Sequence, residues 1–437
     1  MSLLPPPKVQ KLQEALHAKA KGAPGYRFYA LYDKVYRRDI LEWAYARCRH
    51  NDGAAGVDRQ SFADIEAYGL DRWLDEVMEE LRTRTYHPQP VRRVYIPKPD
   101  GKQRPLGIPT IKDRVVQMAT VLVLEPIFEA DLEPEQYAYR AGRSALDAVN
   151  HVHSLLNTGH TEVIDADLSG YFDSIPHAEL MKSVSRRVSD RHLLALIAMW
   201  LESPVDEIDE RGRHHRTTHA KDQRRGTPQG SPISPLLSNL YIRRFVLGWK
   251  TLGHERRLRA RIVNYADDFV ICCSGTADEA MTVMRAMMTK LKLTVNETKT
   301  KLRRVPGETF DFLGYTFGRC YSPKTGRSYL GTKPSAKKVL RLCRSISEMT
   351  GRGTTWQPPE LMVAQLNRKL EGWANYFCLG SASKAYATVD RHTSRRLRHW
   401  LRIKHKVRER GWSRFPEVFL TETLGLVSLR RRRRSFP

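Results

Sequence analysis

The sequence has few cysteines, and their spacing excludes two common kinds of site. Six cysteines occur among 437 residues, and no two of them form a C-x-x-C pair. Neither a zinc site built on that spacing nor a disulfide framework is therefore indicated. We expect the six to be reduced residues of the core: Cys48, Cys272, Cys273, Cys320, Cys343 and Cys378.

Long apolar runs are also missing. No stretch approaches the roughly 18 residues that suggest a membrane-spanning helix. The segment from Met1 to Pro7 lacks the basic start and the apolar core of a signal peptide. We therefore expect no membrane partner.

Acidic residues are outnumbered by basic ones. The chain has 74 Lys and Arg against 48 Asp and Glu, a net charge of +26 and a pI near 9.9. The stretch from Lys333 to Pro437 carries 24 basic and 7 acidic residues, which is +17 of that excess. Such a charge favours a polyanionic partner. Nucleic acid is favoured over a membrane surface, because no basic amphipathic helix stands apart from the folded pattern.

Two adjacent carboxylates lie between two apolar runs. Asp267 and Asp268 follow Ile262-Val263 and precede Phe269–Cys273, a pattern that predicts a β-hairpin with acidic residues at its tip. Alone, this pair indicates no more than a polar turn. Exposed paired carboxylates between buried strands do, however, suit Mg²⁺, which takes oxygen ligands and shares them with substrate phosphates.

A third carboxylate is available about 100 residues upstream. The segment from Val163 to Asp173 begins as a strand and supplies Asp167. Phosphoryl transfer by two cations needs carboxylates that hold both ions, and Asp167, Asp267 and Asp268 are the candidates. Asp165 and Asp173 are close in sequence and are the less favoured candidates. Asp165 shares a strand face with Asp167, which is compatible with a neighbour of the site rather than a ligand.

Two further segments are suited to binding a nucleotide. Gly226–Pro235 is rich in glycine and proline and runs into an apolar stretch, so its backbone can approach a ligand closely; the alternative is a plain proline-rich loop. Lys98 and Arg104 flank a predicted Asp100-Gly101 hairpin turn. Cations on a hairpin are usually solvated, but an arginine fork there could grip a triphosphate.

The order of predicted elements divides the chain into an α+β part and a helical part. Residues 211–226 are basic and predicted to be irregular, and helix 277–292 fills the core with methionines. A boundary is expected at 331–335, followed by helices 336–349, 359–376 and 383–405. The order of elements therefore predicts an α+β domain of about 330 residues, followed by a basic helical domain of about 100.

Together these segments resemble the group II intron reverse transcriptases, also called intron-encoded maturases. One segment, Gln136–Ala145, departs from the usual YGFRPGRS pattern of the second fingers motif. The resemblance covers nearly the whole chain, and its motifs are Ala55–Asp58, Tyr95–Pro109, Gln136–Ala145, Asp167–Phe172, Thr227–Leu240 and Tyr265–Asp268.

The resemblance implies roles for individual residues. Phe172 would be the gate that excludes a ribose 2′-hydroxyl, the alternative being an ordinary core aromatic. Gln229 and Gly230 would line the incoming nucleotide, and Lys299 would lie near the pyrophosphate. The primer-grip hairpin would be formed by Phe312, Leu313, Gly314 and Tyr315.

The C-terminal helices resemble the maturase, or thumb, domain of that family. Leu366, Leu370, Trp373 and Phe377 fall on one helical face, which we interpret as thumb core and not as a base-stacking platform. Basic residues on the opposite face would follow phosphates. Without paired cysteines of an HNH endonuclease, the sequence is closest to the compact class C members.

The resemblance implies a right-hand polymerase fold, α+β with an antiparallel palm sheet. Its units would be an N-terminal extension with the start of the fingers (1–90), fingers and palm (91–332), a helical thumb (333–405) and a basic nucleic-acid-binding tail (406–437). The implied activity is RNA-templated DNA synthesis with two Mg²⁺ ions, for which Mn²⁺ can substitute. The implied partners are group II intron RNA, an RNA template with a DNA primer, dNTPs and target DNA. A cytoplasmic bacterial or archaeal protein, nucleoid-associated on DNA, is expected. Two alternatives stay open, a splicing-only maturase and a host-adopted reverse transcriptase for repair or defence.

Overall fold

The computed structural model describes residues 4–97, 101, 103–209, 213–322, 325–408 and 411–431. Lys98, one of the predicted nucleotide-binding residues, lies outside this range, as does most of the predicted 98–102 turn.

Helices and strands alternate up to residue 334, and helices follow. The helices are α1 (Pro7–Gly22), α2 (Tyr32–Val35), α3 (Arg38–Asn51), α4 (Phe62–Tyr68), α5 (Leu70–Thr83), α6 (Ile111–Glu129), α7 (Ala145–Asn157), α8 (Tyr171–Ser174), α9 (His177–Ser185), α10 (Arg191–Leu201), α11 (His219–Gln223), α12 (Ser234–Thr251), α13 (His254–Arg257), α14 (Ala277–Lys290), α15 (Ala336–Met349), α16 (Pro359–Tyr376) and α17 (Ser383–Lys404). The strands are β1 (Val91–Pro97), β2 (Gln103–Ile108), β3 (Glu162–Asp167), β4 (Val205–Ile208), β5 (His214–Thr217), β6 (Ala260–Tyr265), β7 (Asp268–Cys273), β8 (Lys301–Arg304), β9 (Phe310–Phe312), β10 (Tyr315–Tyr321) and β11 (Ser328–Pro334).

The first sheet has the strand order β2-β1-β4-β5. Strand β1 pairs antiparallel with β2 and parallel with β4, where Val91 lies opposite Val205. Strands β4 and β5 form an antiparallel hairpin. The prediction that 211–226 is irregular is therefore wrong. Strand β5 has four exposed residues and no apolar one, so it carries no alternating pattern; its pairing with β4 determines its conformation.

The second sheet, β6-β7-β3-β8, is antiparallel throughout and buried on both faces. Alternate residues of β7 enter different cores, as the period of two in a strand requires. Phe269 and Ile271 pack with the helices of the N-terminal half, whereas Val270 and Cys272 pack with α7 and the third sheet. Because both faces of β7 are buried, the run Phe269–Cys273 is apolar throughout. Asp268 is the first residue of β7 and lies at the end of the strand.

The third sheet, β11-β10-β9, leads directly into the helical part. Strand β11 ends at Pro334 and α15 begins at Ala336, so Ser335 is the only residue of the chain between this sheet and the first helix of the helical part. The predicted helices α15 and α16 are confirmed at both ends, and α17 ends one residue early. The helical face of Leu366 and Leu370 is buried, which confirms its interpretation as core.

The end of the chain differs from the predicted separate tail at 406–437. Phe415, Leu420, Leu426 and Leu429 are buried against α16 and α17, and the backbone N–H of Leu429 donates to Asp390 at 3.0 Å. Residues 411–431 are thus a packed extension of the helices, an arrangement that the arginine-rich sequence concealed.

The cysteine prediction is confirmed: all six are free, and all but the half-buried Cys378 are buried. Across the described part of the chain, no helix combines the length and the apolar character needed to cross a membrane.

Candidate active site

The register of the palm sheet brings two of the predicted carboxylates together. Asp167 ends β3 and Asp268 begins β7, and the two lie directly opposite each other in the antiparallel pair. Side chains at opposed positions have Cβ atoms about 4.5–5.5 Å apart, and like charges placed so are destabilising. The fold therefore holds two carboxylates side by side where packing alone would separate them.

The third carboxylate lies in the turn between β6 and β7. Ala266 takes a left-handed conformation, with φ of 58°, and precedes Asp267. The side-chain amide of the buried Asn264 donates to the carbonyl of Ala266 at 2.8 Å. Asn264 is itself held through its backbone by Glu135 and Tyr137. The hydrogen bonds of the buried Asn264 thus fix the conformation of the turn that carries Asp267.

A cavity of about 880 Å³ opens above these carboxylates. It is bounded on one side by the first sheet and on the other by the palm. Eight of the predicted site residues line it: Arg104, Asp167, Phe172, Gln229, Gly230, Asp267, Asp268 and Lys299. The structure therefore joins segments that are up to about 195 residues apart in the sequence.

The electrostatics of the cavity are dominated by the crowded carboxylates. Burial, followed by the charges of Asp267 and Asp167, raises the pKa of Asp268 to about 7. Burial and the charge of Asp167 raise the pKa of Asp165 to about 6. The carboxylate of Asp268 nevertheless reaches the open space of the cavity, where water screens part of this repulsion. The cavity favours a bound cation or proton.

One cation of the protein already lies beside these acids. The Nζ atom of Lys299 is 3.2 Å from Oδ2 of Asp167, and both side chains are partly exposed. No three acidic, histidine or cysteine side chains of the described residues are gathered closely enough to form a metal cluster. Asp167 and Asp268 are paired across the two strands and Asp267 lies in the adjoining turn, so a bound cation would have to draw the three side chains together. Their carboxylate oxygens are the donors that suit a hard cation such as Mg²⁺.

Phe172 is placed by the loop that follows β3. Gly170 adopts a left-handed conformation, with φ of 55°, and lets the chain turn into α8. The carbonyl of Phe172 accepts the N–H of Thr227 at 2.8 Å. The ring is half-buried, with an edge-to-face contact to Tyr171 at 5.6 Å. One side of the ring packs on the core and the other lines the cavity, and the role of Phe172 as a gate stays a prediction.

Gln229 and Gly230 meet the first sheet through backbone atoms. The N–H of Gly107 on β2 donates to the carbonyl of Gln229 at 2.7 Å. Gly230 has φ of 114°, and a Cβ atom there would lie 2.7 Å from the carbonyl oxygen of Gly107. Only glycine permits this approach, so the loop and β2 together form one wall of the cavity.

Comparison with known families decides between the classes of protein that such a cavity permits. Residues 96–317 match the family described as reverse transcriptase (RNA-dependent DNA polymerase), and residues 339–415 match the group II intron maturase-specific domain. The chain belongs to the group II intron reverse transcriptase and maturase family. The resemblance stated from the sequence motifs is confirmed, and the match at 339–415 runs from within α15 to beyond the end of α17.

The chain is similar to individual proteins over different lengths. Protein YkfC of Escherichia coli (strain K12) is 32% identical over 366 residues, covering 75% of this chain and 93% of that protein. Group II intron-encoded protein LtrA of Lactococcus lactis subsp. cremoris is 28% identical over 351 residues, 66% of this chain. The match spans 56% of LtrA. A solved telomerase chain from Candida albicans overlaps 82% of this chain and 70% of its own, with 12% identity and a TM-score of 0.42.

The predicted primer-grip hairpin of this reverse transcriptase lies outside the cavity. Leu313 and Gly314 form the turn between β9 and β10, with φ of 49° and 85°. Phe312 and Tyr315 are buried in the core that includes Phe377. Only the two turn residues reach the surface, so the side chains of Phe312 and Tyr315 support the hairpin and cannot contact a ligand.

Tyr139 is a cavity residue that sequence reasoning missed. Its side chain is 51% exposed, lines the cavity and is held in a left-handed conformation with φ of 56°. The neighbouring backbone is fixed, because Asn239 donates to the carbonyl of Ala138 at 2.7 Å and Arg140 forms an ion pair with Glu129. A non-glycine residue in this conformation is strained, which is typical of functional sites. Its only sequence signal was the departure from the family pattern at 136–145.

Asn296 and Asp173 also line the cavity. The backbone N–H of Asn296 donates to the carbonyl of Asp167 at 2.8 Å, which joins the segment of Lys299 to the end of β3. No spacing in the sequence pointed to Asn296. Asp173 was not favoured as a metal ligand, and its place at the cavity wall leaves that prediction unchanged.

Proposed function

We propose that this reverse transcriptase synthesises DNA on an RNA template with divalent cations held by Asp167, Asp267 and Asp268. The observation that supports this most is the register of β3 and β7, which opposes two carboxylates at the floor of the cavity. When bound there, two Mg²⁺ ions would supply charge neutralisation for the attacking 3′-hydroxyl and the leaving pyrophosphate.

The residues of the chain would position the other parts of the substrate. Arg104 and Lys299 line the cavity on different elements and offer positive charge to a triphosphate. Lys299 would exchange its contact with Asp167 for a phosphate as the carboxylate takes up a cation. The ring of Phe172 would lie against the sugar, where a 2′-hydroxyl needs space, and the backbone at Gly230 would approach the nucleotide.

We further propose that the helical part binds a group II intron RNA and assists its splicing. The support is the match of 339–415 to the maturase-specific domain, together with the +17 charge from Lys333 onward. An RNA template with a DNA primer, dNTPs and a target DNA are the other proposed partners. Contacts to phosphates would dominate affinity and make it sensitive to salt.

The test is extension of a DNA primer on an RNA template by the purified full-length protein in Mg²⁺. Asp267→Ala should abolish extension and leave RNA affinity nearly unchanged, because it removes a cation ligand and no phosphate contact. Glu14→Ala, an exposed acid on α1 that does not line the cavity, is the matched control. Failure of the wild type to extend the primer while it binds intron RNA would indicate a splicing-only protein. Equal loss of both activities in Asp267→Ala would show that Asp267 is structural.

A further inference from the structure

The loop between α15 and α16 presents a tryptophan to solvent. Trp356 is 75% exposed, although it lies within a helical unit whose other large side chains are mostly buried. An exposed aromatic residue alone is ordinary on a protein surface. Its loop, however, is anchored by side-chain hydrogen bonds from α17, and the charged residues near it are basic.

The loop is held by side chains of α17. The indole N–H of Trp400 donates to the hydroxyl of Thr354 at 3.0 Å. The ammonium of Lys404 donates to the carbonyl of Thr355, the residue before Trp356, also at 3.0 Å. The guanidinium of Arg396 donates to the carbonyl of Thr350 at 2.8 Å. The backbone on the N-terminal side of Trp356 is therefore anchored, and ordering the indole for a ligand costs little further entropy.

The surroundings of the loop are positively charged. Arg352, Arg396 and Arg402 lie close enough to His399 that their charges, after burial, lower the pKa of its imidazole. Within the described residues, none of these three arginines forms an ion pair with a carboxylate, and neither does Lys404. Among the residues that the structure describes, this group of cations therefore has no carboxylate within ion-pair distance, which is the usual electrostatic sign of a polyanion site.

We propose that Trp356 and these cations form a binding site for a single-stranded segment of RNA. The indole would stack on an unpaired base, and Arg352, Arg402 and Lys404 would contact the phosphates on either side. Stacking on aromatic rings is the general way in which proteins hold unstacked bases, and a basic surface follows the backbone between them. The inference deepens the proposed RNA binding of the helical part and assigns it to one loop. The proposed stacking residue is thus Trp356 and not a residue of the helical face of Leu366, which is buried.

An acidic protein partner is the competing occupant of such a surface. RNA is favoured, because the loop brings several cations and one exposed aromatic ring to the same part of the surface. Trp356 is the only exposed large apolar residue of the loop 350–358, and Leu361 at the start of α16 is the next one along the chain. A protein interface would need a larger apolar centre.

The first experiment measures the affinity of full-length variants for a fluorescent single-stranded oligoadenylate. We expect Trp356→Ala to weaken binding about 5- to 100-fold, the usual value of one stacked base, and Trp356→Phe to retain most of the affinity. Trp412→Ala is the matched control. Trp412 is 61% exposed in the same helical part, but the guanidinium of Arg398 already covers its ring at 4.0 Å. Its removal should leave oligoadenylate affinity within about twofold.

The second experiment separates stacking from charge by the salt dependence of the same binding. Arg352→Gln and Arg402→Gln should each reduce the slope of log affinity against log salt by about 0.7, the value for one single-strand phosphate contact. Trp356→Ala should lower affinity at every salt concentration and leave the slope unchanged. Lys384→Gln, an exposed cation at the opposite end of α17, is the control and should change neither quantity.

Three outcomes would overturn the inference. The first is a Trp356→Ala protein that unfolds cooperatively and binds RNA as tightly as the wild type. The second is a Trp412→Ala protein that loses as much RNA affinity as Trp356→Ala. The third is an affinity loss that a duplex RNA of the same length shows to the same extent, since paired bases cannot stack on the indole. Primer extension is measured in parallel on the wild type. Its absence would remove the proposed polymerase function and leave the Trp356 result standing, whereas extension with no Trp356 effect would remove only this inference.

Discussion

Replacing Gly230 with alanine tests how the cavity is assembled. The residue has φ of 114°, and a Cβ atom there would lie 2.7 Å from the carbonyl oxygen of Gly107. The same two segments share a backbone hydrogen bond from Gly107 to Gln229 at 2.7 Å. The new Cβ atom would meet a backbone oxygen and not a side chain. The conflict can therefore be relieved only if the loop at Gly230 or strand β2 moves.

The expected loss of stability is the sum of two contributions, the strained backbone conformation and the lost hydrogen bond. A non-glycine residue in such a backbone conformation costs about 1–3 kcal/mol, and loss of the Gly107–Gln229 hydrogen bond costs about 1 kcal/mol more. We expect Gly230→Ala to lower the free energy of unfolding by about 2–4 kcal/mol. A shift of about 1 Å in a positioning group can cost about 100-fold in rate, so we expect kcat/KM for dNTPs to fall by about that factor.

The assays are urea unfolding and steady-state primer extension. Gly253→Ala is the matched control, because Gly253 also has a positive φ, 75°, but no atom lies within 4 Å of the Cβ position and the residue is not part of the cavity wall. It should cost about 1–2 kcal/mol of stability and leave dNTP kinetics unchanged. If Gly230→Ala loses no more activity than Gly253→Ala, the contact between β2 and the loop does not shape the cavity.

Three further predictions concern the cavity itself. The pKa of Asp268, about 7 in the fold against an ordinary value near 4, means that the cation-free protein loses stability as the pH rises from about 4 to about 7. Mg²⁺ should therefore stabilise most above pH 7, and calorimetry should show this pH dependence weakened in Asp268→Asn. Phe172→Ala should open space at the sugar and lower the discrimination between dNTPs and rNTPs, measured as a ratio of kcat/KM values. Arg104→Ala should raise the KM for dNTPs more than it weakens template binding.

Each of these has a contrary result. An Mg²⁺ affinity that is equal at low and high pH would separate Asp268 from cation binding. Unchanged sugar discrimination at preserved activity would make Phe172 a core residue only. An Arg104→Ala protein that loses template affinity and keeps its KM would show that this guanidinium contacts the duplex.

The elements around the site that the sequence predicted correctly depend on local pattern. Asp267 and Asp268 lie between apolar runs, and the strands formed where the runs predicted them, because both faces of β7 are buried. The register that opposes Asp167 and Asp268 follows once those strands pair. The boundaries of α15 and α16 were predicted for the same reason, since an amphipathic face at helical spacing leaves one arrangement that buries it.

The parts that were missed depend on contacts between distant segments. Strand β5 has no apolar residue and forms only because β4 supplies its hydrogen bonds. Tyr139 reaches the cavity because α12 and β6 hold its loop, which no spacing near residue 139 reveals. Trp356 reads in sequence as one more aromatic near a helix start. Only the burial of the surrounding residues shows that it is left exposed.

The hairpin turn at Leu313 and Gly314 has a mechanical consequence. The hydroxyl of Tyr376, at the end of α16, donates to the carbonyl of Leu313 at 2.7 Å, and the hydroxyl of Tyr315 donates back to the carbonyl of Tyr376. A movement of the end of α16 must therefore displace the turn. If the turn holds a primer, an RNA that shifts α16 on binding changes the primer affinity. By thermodynamic reciprocity the primer then changes the RNA affinity by the same factor.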